Sequence, residues 1–340
     1  MMPLISSSVC EGGFSSERKD FEALAGLVEA PAMEEATGFD SSEDLKAIYF
    51  EGLDYKGKPT KVFAWLGMPE VKAGKAGKIP AKVPAMVLVH GGGGTAFKDW
   101  VQRWNKRGYA AISIAVEGQT DKRSEDGESW RKHEWAGPSR VGIYGDAKEE
   151  FKDQWMYHAA ADTILAHSLI RSLPRVDADK VGLMGISWGG VITSTVIGLD
   201  DRFAFAIPTY GCGDLSEAQN QYGKSLANNS TYKEVYDPLL RFDKVKMPTL
   251  WFSWPEDKHF PMDKFANSYK AVSGSYAVSL IPKMGHGHGP PWGKPDSYAF
   301  AESITEHGKP WCRQKSLERE GDKVVVIFES SEPLREPVLV

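Results

Sequence analysis

The pentapeptide Gly185-Ile186-Ser187-Trp188-Gly189 carries the most specific chemistry in the chain. It follows an apolar run at 181–186 and precedes a helical pattern at 191–199, so it reads as strand, sharp turn and helix. Glycines suit a turn in which the strand and helix backbones come close. Such a turn lifts the Ser187 hydroxyl clear of the sheet, beside the first amides of the helix. A serine hydroxyl is a weak nucleophile near neutral pH; it needs a base, and the base needs an orienting acid. Two histidines follow the apolar run at 276–281, in Met284-Gly285-His286-Gly287-His288-Gly289. His286, nearer the strand end, is the preferred base, and His288 is left to contact the leaving group or hold the loop. For the acid, Asp257 in Trp254-Pro255-Glu256-Asp257 follows the run at 249–252. It is preferred to Glu256, a solvated loop carboxylate, and to Asp214, which lies one strand earlier.

Acyl transfer also needs hydrogen-bond donors for an oxyanion. His90-Gly91-Gly92-Gly93-Gly94 follows the apolar run at 86–89, and its bare backbone lets the amides of Gly92 and Gly93 face a site together with that of Trp188. The loop lacks the G-K-[ST] ending of a phosphate-binding P-loop and the G-x-G-x-x-G pattern of a dinucleotide site. Gly-His-Gly-His could suggest a metal pair, but no third ligand stands at a suitable spacing, so neither metal nor cofactor is expected. Tyr210, His288 and Trp292 are the candidates for substrate contact. Cys212, with Ser187 already at the turn, is expected to be a half-buried thiol without catalytic duty.

Residues 117–153 hold Arg123, Trp130, Arg131, Lys132, His133, Trp135 and Tyr144, and long insertions there can overhang a site. Their aromatics either bind a sugar or aryl group or pack the loop. Trp100, Trp104, Trp155 and Trp251 fall in helix or strand patterns and are expected in the core. His158, His167, His259 and His307 read as loop, surface or packing residues, and Asp162, Arg171, Asp177 and Lys180 as structural salt bridges.

Positioning these groups requires a particular scaffold. Continuous apolar runs at 86–89, 110–116, 181–186, 203–208, 249–252 and 276–281 read as strands buried on both faces. Helical patterns at 97–106, 151–173, 191–199, 263–273 and 296–307 alternate with them. That alternation predicts an α/β fold with a mostly parallel central sheet and helices on both faces. An antiparallel pair at 47–51 and 61–68 precedes it, followed by a solvated connection at 71–84; a short helical pattern at 21–28 lies near the start. The expected division is a lead-in at 1–40, a catalytic domain at 41–312 and a β-like extension at 313–340. Runs at 323–328 and 338–340 make the extension either an edge hairpin or a strand cut short. Oxyanion loop, nucleophile, acid and base each follow a separate strand in that order, which is the α/β-hydrolase arrangement.

The 340 residues carry 41 Lys and Arg against 46 Asp and Glu, a net charge of −5. That balance speaks against nucleic acid or an anionic membrane as main partner. Hydrophobic residues at 41% support a sizeable core, and no apolar run reaches a membrane span. Cys10, Cys212 and Cys312 cannot make a disulfide framework. Residues 1–10 lack the basic and apolar regions of a signal peptide, so a cytoplasmic protein and a mature secreted form read alike. The oligomeric state is not legible.

Longer stretches, HGGGGTAFKDWVQRWNKRGYAAI (90–112), YHAAADTILAHSLIRSLPRVDADKVGLMGISWGG (157–190), RFAFAIPTYGCGDL (202–215) and MGHGHGPPW (284–292), resemble bacterial acetylxylan esterase-like and dienelactone hydrolase-like serine esterases. The resemblance implies Ser187, Asp257 and His286 as nucleophile, acid and base. It also implies a carboxylesterase acting on small acyl esters, acetyl above all, of small molecules or carbohydrates. The rival expectations are a serine peptidase of prolyl oligopeptidase type, for which no β-propeller is present in the sequence, and a catalytically silent binding protein on the same scaffold.

Overall fold

The computed structural model describes residues 14–70, 82–306, 312–330 and 333–334. Cys10, most of the connection expected at 71–84, His307 and the run at 338–340 lie outside the described residues. In chain order the elements are α1 (Ser15–Glu22), β1 (Met33–Glu35), β2 (Leu45–Glu51), β3 (Lys61–Gly67), β4 (Val83–Val89), α2 (Lys98–Asn105), β5 (Ala110–Ile114), β6 (Gln119–Arg123), β7 (Trp130–Lys132), α3 (Trp155–Ser172), β8 (Val176–Ile186), α4 (Trp188–Val196), β9 (Phe205–Thr209), α5 (Gln221–Leu226), β10 (Thr249–Ser253), α6 (Met262–Ala271), β11 (Tyr276–Leu280), α7 (Asp296–Thr305), β12 (Arg313–Glu320) and β13 (Lys323–Glu329).

Nine strands form one sheet in the order β1-β2-β3-β5-β4-β8-β9-β10-β11. The six from β5 to β11 run parallel, and β1, β2 and β3 form an antiparallel margin. After β4 the chain steps outward to β5, then crosses back to place β8 on the other side of β4. The carboxyl ends of β4 and β8 therefore flank the point where the winding reverses, which is where open α/β sheets hold their ligands. α3 lies along α4 on one face. On the other, α2 and α7 are joined by the Trp104–Tyr298 ring contact and the Arg107–Glu302 ion pair.

All six expected parallel strands are present, and Trp100, Trp104, Trp155 and Trp251 are buried. β11 departs from the expectation of burial on both faces: it is the sheet's last strand, and Tyr276, Val278 and Leu280 are exposed. The first helix begins earlier than the pattern at 21–28 suggests, and β1 adds a ninth strand too short to show in that pattern. Of the four expected salt-bridge residues, Asp177 and Lys180 approach at 3.9 Å, whereas Arg171 donates to the carbonyls of Ala178 and Arg202. Asp162 is a correction: it is buried in α3, its Oδ1 has no hydrogen-bond partner, and burial pushes its carboxyl up to about 8. Among the described residues β12 and β13 pair only with each other, and the apolar residues of β13 are exposed.

Candidate active site

The turn from β8 into α4 fixes Ser187 in a conformation that side chains rarely adopt, with φ 61° and ψ −117°. Close backbone approach explains the flanking glycines. A methyl on Gly185 would stand 2.0 Å from the carbonyl oxygen of Gly189, and one on Gly189 would stand 2.1 Å from that of Val89 in β4. α4 thus lies directly against the sheet, with its first amides beside the serine.

His286, in the loop after β11, lies with Nε2 2.9 Å from Ser187 Oγ and Nδ1 2.8 Å from Asp257 Oδ2. An ionised carboxylate only accepts, so Nδ1 carries the proton and Nε2 is free to accept the serine's. Asp257, past the end of β10, accepts further hydrogen bonds from the amides of His259 and Phe260 and from Trp254 Nε1. Burial works to raise its carboxyl, but the His286 contact and the two amides outweigh it and hold Asp257 below the ordinary carboxylate value. The imidazole of His286 is boxed by Tyr210 and His259, each with its ring centre 4.6 Å away. Tyr210 is fully buried, and its hydroxyl donates to the Gly285 carbonyl, so it underlies the loop. Glu256 is exposed beside Asp257, and Asp214 is engaged by Lys264 and Asn267, away from the histidine.

The glycine loop after β4 is braced from three directions. His90 accepts the Val116 amide at Nε2, which leaves Nδ1–H to donate to the Gly91 carbonyl. Burial holds its imidazole down at about 3, hence neutral. His288 accepts the Gly91 amide at Nε2, 3.0 Å away, and packs against Phe97 and Trp100. Of its two expected roles, the geometry gives it the holding of a loop, and the loop is the glycine-rich one. Trp130 of β7 donates its indole N–H to the Gly93 carbonyl. Gly93 has φ +72° and Gly94 donates back to Gly91, so the turn leaves Gly92 beside the Trp188 ring. Trp292, expected on a pocket wall, is buried against Trp100, and Trp188 is packed among Trp155, Tyr144 and Tyr222. The Gly-His-Gly-His pair does not converge, since each imidazole faces a different partner. A cavity of about 510 Å³ lies elsewhere, against Val83, Gly108 and Arg175 before the parallel strands begin.

Sequence reasoning missed Arg140, whose guanidinium stands over the Trp188 ring. It also missed the amides of His259 and Phe260 on Asp257. Arg140 sits in an aperiodic segment without a spacing signal. The turn after Asp257 has one, since an aspartate capping the amides two and three residues on is a recurrent local motif.

A six-stranded parallel core, a serine at the strand–helix turn and a histidine after the last strand together define an α/β-hydrolase. Within that class, the chain belongs to the acetyl xylan esterase (AXE1) family, whose model matches residues 21–247. The match includes the glycine loop and Ser187 and stops before Asp257 and His286. Two solved structures are similar in fold. Acetyl xylan esterase 1 from Thermoanaerobacterium sp. JW/SL YS485 superposes with a TM-score of 0.64 at 19% identity, over 85% of this chain and 94% of that one. The acetyl xylan esterase from Paenibacillus sp. R4 gives 0.62 at 20% identity, over 84% and 92%. Among curated proteins, dipeptidyl aminopeptidase BIII of Pseudoxanthomonas mexicana is 25% identical over 271 residues, 72% of this chain. The chain spans 35% of that relative's length.

Proposed function

We propose that the protein is a serine carboxylic-ester hydrolase for small acyl esters, acetyl above all, with carbohydrates as a source of the alcohol. The observation that carries this reading is the unbroken contact from Asp257 through His286 to Ser187. His286 takes the proton from Ser187 as its oxygen attacks the ester carbonyl, and Asp257 holds the imidazole in the tautomer that can accept. The amides of Gly92, Gly93 and Trp188 receive the oxyanion, the amide of Gly91 being committed to His288. His286 then protonates the departing alcohol, and water, activated by the same imidazole, releases the acid from Ser187. Family membership supports the acetyl preference.

The similarity to a dipeptidyl aminopeptidase gives the peptidase reading a specific basis, so the test includes it. Purified protein is assayed on p-nitrophenyl acetate, a long-chain p-nitrophenyl ester and an aminoacyl p-nitroanilide. Turnover of the acetate ahead of the other two is expected. Ser187→Ala is expected to lower kcat by roughly 10⁴-fold or more. Turnover of the anilide alone would replace the esterase by a peptidase, and full activity in Ser187→Ala would remove the nucleophile assignment.

A further inference from the structure

The segment between β7 and α3 brings Arg140 to the rim of the glycine loop. Its Nη2 lies 2.8 Å from the point where a Cβ on Gly92 would stand, and Trp188 Cδ1 lies 3.1 Å from the same point. Guanidinium and indole therefore enclose Gly92, one of the residues proposed above to receive the oxyanion. The cation is fixed in place, 5.0 Å above the Trp188 ring centre and 5.9 Å from that of Trp155. Nη1 donates to the Gly142 carbonyl. Nε faces Glu117 at 3.5 Å, an ion pair longer than an ordinary hydrogen bond. Among the described residues, no acceptor meets Nη2.

Two features make this more than a loop anchor. The only carboxylate paired with Arg140 among the described residues is Glu117, and it approaches Nε, leaving Nη2 without a carboxylate. The rings of Trp155 and Trp188 hold the guanidinium, and Nη2 is left as a cationic donor of the kind that a carboxylate accepts in a charge-assisted hydrogen bond. We propose that Arg140 Nη2 is a subsite for an anionic substituent, a carboxylate carried by the ester within a few bonds of the scissile carbonyl. This rests on the esterase reading. Two sources supply such a carboxylate: a dicarboxylic acyl group, or a uronic acid that bears the acetyl ester.

The test compares matched pairs of substrates in the wild-type protein, Arg140→Gln and Arg140→Lys. One arm sets p-nitrophenyl hemisuccinate against p-nitrophenyl butyrate, and the other sets acetylated glucuronic acid against acetylated glucose. In the wild type, kcat/KM is expected to favour the anionic member of at least one pair, and the arm that shows it names the source. Arg140→Gln is expected to lower that ratio at least tenfold, chiefly through KM, with Arg140→Lys in between. Neutral members favoured in both arms by the wild type, or ratios unmoved in Arg140→Gln, would overturn the subsite. Should Arg140→Gln fail to fold, the wild-type and Arg140→Lys ratios decide. Should no ester be turned over at all, the esterase reading has failed, and this one with it.

Discussion

His288 accepts the amide of Gly91 and so ties the loop carrying His286 to the loop carrying Gly92. Its pKa is lowered, chiefly by burial, so it remains neutral and can accept at neutral pH. His288→Ala frees the Gly91 amide and loosens the neighbouring donor. The expected result is a fall in kcat of about 10- to 100-fold with little change in KM, since removing an oxyanion donor outright costs 10²–10³. His288→Gln, whose Oε1 reaches a similar point, is expected to restore most of the rate on p-nitrophenyl acetate. An equal loss in both variants would mean that ring packing on Phe97 and Trp100, not the hydrogen bond, is what matters. That Ser187, Asp257 and His286 come together is legible in the sequence because each has a distinctive neighbour: an elbow, a strand end, a glycine-flanked loop. Choosing between two histidines separated by one glycine was a preference only, because spacing cannot say which ring turns toward the serine.

Among the elements, the parallel strands were the most legible, because strands covered by helices on both faces become continuous apolar runs. The same logic failed at β11, whose run is just as apolar but which has a neighbour on one side only. A run of residues records its own hydrophobicity and not whether a layer exists to cover it. β6 and β7 were invisible for the opposite reason: their polar residues carry no period, and the strands are held by their mutual pairing, by Thr95 donating to the Thr120 carbonyl and by Trp130 reaching Gly93. The strand–turn–helix unit makes a sharper claim. A methyl on Gly189 meets a backbone oxygen of β4 that has no freedom to yield, unlike the end of a flexible side chain. Gly189→Ala is expected to destabilise the protein by about 3 kcal/mol, read from urea unfolding midpoints, and to lower activity by tilting α4 away from the sheet. A variant as stable and active as the parent would show that the close approach of α4 and β4 is relaxed in solution.

For the whole molecule, buried ionisable groups set opposing slopes on stability. Burial, first among the causes, holds His90 at about 3, and His133 and His167 at about 4, below the roughly 6.5 of an unfolded chain. As pH falls below about 6.5, the unfolded chain takes up protons at these sites that the folded chain refuses, so stability falls with pH. Asp162 acts in the other direction. Its folded value of about 8 stands above the roughly 4 of an unfolded aspartate, so the folded chain keeps a proton that the unfolded chain has released. Its contribution is fully present below about pH 4 and lost as pH rises toward 8. Among these four groups, the three histidines outweigh the one aspartate and make the acid side the steeper. The Asp162 share alone, about 1.4 kcal/mol per proton and pH unit, comes to about 2 kcal/mol lost between pH 6.5 and 8. Asp162→Asn removes that proton, so its urea-derived stability relative to the parent is expected to gain about 2 kcal/mol over this interval. Parallel pH profiles for the two proteins would show that Asp162 is solvated or paired in solution and that the loss above pH 6.5 arises elsewhere.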